Sequence, residues 1–117
     1  MLECAIKERL DSIVGPIHVS PLFVTSIPGI VYTVTPISGG LVKSSQVEVK
    51  VIHGDYDEAL AIREIILKDL DLEQNKPSLV NSGISFRPEL AGGGSIYSEG
   101  PQAWEISLIL IITWRCL

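Results

Sequence analysis

Positive charge is scarce in this sequence: nine lysines and arginines stand against fourteen aspartates and glutamates, a net charge of −5. Proteins that grip nucleic-acid phosphates do so by displacing counterions with Lys and Arg, so this balance argues against a direct hold on DNA or RNA, and an acidic chain also fits poorly on anionic membrane surfaces. Cysteine is nearly absent. Cys4 and Cys116 sit at opposite ends of the chain, a pattern that neither a CxxC redox pair nor a zinc site gives, and free thiols are the expectation. The longest unbroken apolar stretch, Leu108 to Ile112, is far short of the ~20 residues of a membrane helix. No basic region followed by an apolar stretch opens the chain, so cytoplasmic synthesis without a secretory signal is expected. His18 has no Ser, Cys or carboxylate beside it to form a nucleophilic set, and Gly92-Gly-Gly94 lacks the Gly-Lys-Ser/Thr ending of a phosphate loop.

What is abundant is apolar. Hydrophobic residues make up 46% of the 117 positions and the mean hydropathy is +0.35, a surplus that points to apolar surface completed by a partner chain. The length is that of one domain, 1–117, able to bury a core without disulfides or metal. Its clearest element is the last. Trp104, Ile106, Leu108, Leu110, Ile112 and Trp114 alternate onto one apolar face, while Glu105, Ser107, Ile109, Ile111 and Thr113 form a face that is polar at its start and apolar in its middle. β-branched and aromatic residues dominate and no capping residue precedes them, so this is a core strand, covered on both sides at its centre.

Earlier in the chain, Leu2, Ile6, Leu10 and Ile13 recur at helical spacing until Gly15-Pro16 stops them, giving a first amphipathic helix. Pro16, Pro21 and Pro28 then predict an extended connection with no regular element. Gly29 to Thr35 and Val47 to Val51 alternate as two strands of an antiparallel hairpin, joined by a long tip over residues 36–46. A second helix follows, with Ala59, Ile62, Ile65, Ile66 and Leu70 on its stripe. Asp55 is placed to cap it and Glu58 to reach back in a capping box. Asp69, Asp71 and Glu73 crowd its C-terminal end, the wrong sign for the helix dipole. Ile84 to Phe86 reads as a short strand, Ser95 to Ser98 as a possible extension of it, and residues 88–102 as a loop around the glycine triplet. The expected fold is therefore α+β: an antiparallel sheet of about four strands packed with two main helices, in the order α-β-β-α-β-β. His53, Asp55 and Asp57 have the composition of a metal site, but the aspartates stand where a helix cap wants acceptors, and capping takes precedence.

Val47-Glu-Val-Lys-Val51, Gly54-Asp-Tyr56, the helix residues Ala59, Ile62 and Ile66, and the Trp-bounded strand 104–114 together resemble the tail terminator, or tail completion, proteins of long-tailed phages and prophages, also described as minor capsid or head–tail joining proteins. The resemblance covers most of the chain and implies a non-enzymatic virion protein, without cofactor or metal, assembled in the host cytoplasm and residing in the virion tail. It implies a homo-oligomeric, commonly hexameric, ring with the tail tube protein and head connector protein as partners. Six acidic copies would give a negative lumen through which DNA slides if the carboxylates face inward. Leu41, Val42, Lys43, Ile96 and Tyr97, in the two expected loops, are the candidate self-assembly residues. Rival readings are a neck or head-completion connector, a small-molecule binding module, and a hydrolase using His53 and Asp55.

Overall fold

Leu2, Ala5, Ile6, Leu10 and Val14 are all buried, one stripe of a helix, α1, spanning Leu2–Val14. Gly15 ends it at φ +61°, and its N–H returns to the Asp11 carbonyl at 3.3 Å, a left-handed cap that a side chain would strain. The computed structural model describes residues 2–15, 17–21, 27–70, 77–99 and 102–117. After α1 come β1 (His18–Pro21), β2 (Gly29–Ser38), β3 (Lys43–His53), α2 (Tyr56–Leu70), β4 (Leu79–Asn81), β5 (Ile84–Ser98) and β6 (Ala103–Cys116). The six strands form one sheet in the order β1-β2-β3-β6-β5-β4.

The α+β class and the two helices stand as expected; the sheet is larger. β1 lies in the proline-bearing connection expected to hold no regular element, and it pairs parallel to β2, so the sheet is mixed. It is tolerated there because it is the outermost strand, and the outer edge of a sheet is where proline's missing N–H costs nothing. β4 forms a tight hairpin with β5 through Ser82 and Gly83, at φ 52° and 73°, the backbone of a two-residue turn whose twist matches its strands.

Both expected loops shrink. β2 and β3 run on to Ser38 and from Lys43, leaving a tip of residues 39–42. Residues 88–94, expected as loop, continue β5, and Ser95 to Ser98 extend it as the sequence suggested, so the strand runs along the full length of β6, from Ile84 opposite Cys116 to Ser98 opposite Ala103. The ladder absorbs the irregular sequence with one register shift between Leu90 and Gly92. Glycine is demanded at one position of the triplet: a Cβ on Gly93 would collide with the Ser107 carbonyl oxygen of β6.

Both helices pack on one face of the sheet. Val47, Val49 and Val51 of β3 meet Ile106, Leu108, Leu110 and Ile112 of β6 beneath Ile6, Leu10, Ala59, Ile66 and Leu70. The expectation that β6 is covered on both sides is corrected. Ile109 and Ile111 on the far face are half-buried, and no helix lies over them among the described residues. Trp104 and Trp114, expected within the core face, are half-buried at the two ends of β6, and Ile106 to Ile112 carry the core between them.

Candidate assembly surface

The two groups of candidate residues lie at opposite ends of the sheet. Lys43 pairs with Trp114 and Tyr97 with Trp104, ten residues apart on β6, which is roughly 33 Å along a strand. One copy therefore cannot bring Leu41 and Val42 together with its own Ile96 and Tyr97. Lys43, Ile96 and Tyr97 also belong to strands, whereas Leu41 and Val42 sit in the tip.

At the first end, the β2–β3 tip presents Leu41 at 96% exposure, with Val42 and Ile37 also exposed. Below it the Lys43 ammonium lies 4.8 Å from the centre of the Trp114 ring, a cation–π contact that fixes the indole, and Trp114 Nε1 donates to Ser45 Oγ at 3.1 Å. This leaves a groove of about 420 Å³, walled by Leu2, Val34, Pro36, Ile37 and Trp114. Ile37 and this groove were not singled out from the sequence, since Pro36 reads there as the end of a strand rather than part of one.

At the second end, Trp104 is held edge-on between Tyr56 and Tyr97, ring centres 4.7 and 5.0 Å away. Tyr97 remains half open and Ile96 is 65% exposed. Beside them is the start of α2. Asp55 caps it as expected, its Oδ1 accepting from the N–H of Asp57 at 2.9 Å and of Glu58 at 3.4 Å. The reciprocal half of the capping box is replaced: the Asp55 N–H donates to His53 Nδ1 at 2.9 Å, and Glu58 Oε2 meets His53 Nε2 at 3.0 Å. With Nδ1 accepting, Nε2 carries the proton toward Glu58, and the His53 ring bridges the Asp55 backbone and the Glu58 carboxylate. Among the described residues no group of three His, Cys, Asp or Glu side chains gathers as metal ligands.

The edges of the sheet add a feature that no motif signals. β4 covers β5 only at Ile84 to Phe86, and no described strand pairs with the outer edge of residues 91–97. The Leu117 N–H donates to the Gly83 carbonyl at 2.9 Å, which sets the alternation of the β5–β6 ladder. Carried past the bulge, that alternation turns the backbone N–H and C=O of Gly93, Ser95 and Tyr97 away from β6. On the opposite side, β1 covers β2 only at Gly29 to Tyr32, and Pro36 blunts the remainder.

Asp69, unexplained in the sequence, has a partner. Arg9 of α1 donates to it twice, Nε to Oδ2 at 2.8 Å and Nη2 to Oδ1 at 3.1 Å, tying the two helices together. Asp71 and Glu73 lie outside the described residues, as does the His18 side chain. Glu8 of α1 accepts from Asn81 Nδ2 at 2.9 Å and Ser82 Oγ at 2.6 Å, and these hydrogen bonds hold its carboxyl below the usual range. Burial raises the Tyr32 phenol, and the Asp11 hydrogen bond raises the Lys7 ammonium.

No family model and no curated protein matches this chain. Among solved structures, it is similar to a chain of the virion of a native gene transfer agent (GTA) particle, with a TM-score of 0.65 over 97% of this chain and 93% of that one, at 13% identity. The two share a fold from end to end.

Proposed function

We propose that this chain is a structural protein of a phage-like particle, a tail terminator whose copies form a ring that caps the tail tube and meets the head connector. The observation that carries the reading is the end-to-end likeness to a chain of a gene transfer agent virion, a likeness of whole folds rather than of one motif. The two exposed apolar ends support it. Because they lie at opposite ends of one sheet, they suit a head-to-tail contact in which the tip of one copy, Leu41 and Val42, meets Ile96 and Tyr97 of the next. Repeated contacts of that kind close into a ring when the rotation allows, commonly of six. In this reading Lys43 and Trp114 hold the tip in place, and the acidic charge keeps passing DNA from sticking.

Particles made without the chain test the role. Tails that are overlong or fail to join heads are expected; tails of normal length joined normally to heads would remove the function.

A further inference from the structure

We propose that the free chain forms a two-fold dimer by pairing the outer edge of β5, Gly92 to Ser98, antiparallel with the same edge of a second copy, centred on Ser95. This does not depend on the ring. Residues 92–98 contain no charged side chain and no proline, no described strand covers them, and the irregularity of the ladder lies before them, between Leu90 and Gly92. Each copy turns the N–H and C=O of Gly93, Ser95 and Tyr97 outward, so two copies related by a two-fold axis through Ser95 satisfy one another's backbone groups.

The side chains select the second copy as the occupant. With Ser95 opposite Ser95, the exposed Ile96 of each copy faces Gly94 of the other, where a Cβ would meet nothing in the chain, and Tyr97 faces Gly93. Ile96 meets open space at Gly94, whereas at Gly93 the Ser107 carbonyl already fills the place of a Cβ and Tyr97 meets bare backbone. The same register sets Glu99 opposite Ala91, so the acidic residues flanking the edge avoid one another despite the net charge of −5. The β2 edge is a poorer occupant, because Pro36 has no N–H to give. Seven paired residues with Ile96 and Tyr97 from both copies bury on the order of 1,000 Å² in total, the low end of specific interfaces, so the dimer is reversible. It occupies Ile96 and Tyr97, and a ring contact that uses those residues must first open it.

Sedimentation of the full chain over a range of concentrations is the test. A monomer–dimer equilibrium is expected for the wild type and a monomer for Ser95→Pro, whose lost N–H points away from β6. A second variant guards against misfolding: with Cys4→Ser and Cys116→Ser, oxidation should cross-link Ser95→Cys chains into dimers and leave Leu41→Cys chains single. A wild type that stays monomeric at every concentration, a dimer that survives Ser95→Pro, or cross-linking at Leu41→Cys and not at Ser95→Cys would overturn the proposal. Rings on tail tubes from a chain that never dimerises would remove the dimer and spare the ring; a dimer with bare tube ends would do the reverse.

Discussion

Arg9 and Asp69 are 60 residues apart in the chain, and their two hydrogen bonds are the main polar tie between the helices that no spacing rule foretells. Both side chains are about a quarter to a third exposed, so solvent screens part of the pair. Asp69→Ala should still cost about 1–2 kcal/mol in urea denaturation, because a two-point guanidinium contact is stronger than a surface pair and Arg9 is left without it. Asp69→Asn should recover part of the loss by accepting one bond. Glu8 gives a pH dependence of known sign. Its folded pKa lies below the ordinary 4.5, because Asn81 and Ser82 donate to the carboxylate. Its contribution is therefore fully present above pH 4.5 and is lost as the pH falls through the folded value. The stability difference between wild type and Glu8→Gln should be constant near neutrality and shrink in acid; a difference that grows in acid would contradict the assignment.

At the scale of elements, what was legible followed from periodicity. The alternation from Trp104 to Trp114 located β6, and the spacing of Leu2, Ile6 and Leu10 located α1, because both patterns are set by burial against the core. Asp55 was legible for a local reason: a cap bonds residues two and three positions on. Asp55→Ala should destabilise the protein by about 1 kcal/mol by denaturant titration. The backbone N–H that His53 Nδ1 accepts stays in place, so the loss is that of the cap alone. The strand through Gly92 to Gly94 was not legible, because glycine and proline mark loops in isolation, whereas here fourteen residues of β6 supply a partner throughout and Pro88 lies on an edge. The candidate residues were legible as exposed apolar side chains, but not their separation to opposite ends, which depends on strand register.

For the whole molecule, that separation is what suits the two apolar patches to the head-to-tail contact proposed above. Replacing Leu41 and Val42 together with Asp should abolish rings while leaving thermal unfolding within a few degrees of wild type, since neither side chain touches the core and both would carry charge into the contact. Rings that form with both aspartates in place would remove the tip from the interface. The far face of the sheet, with half-buried Ile109 and Ile111, is free of helices among the described residues, and under the proposed function it is the face left for the tube or the connector. The central claim, that this chain caps a tail tube, is tested most directly by electron microscopy of isolated tail tubes mixed with the purified protein. The account predicts one closed ring at the tube terminus, with the β2–β3 tip of each copy against β5 of its neighbour. Tube ends that remain bare while the protein stays free in solution would contradict it.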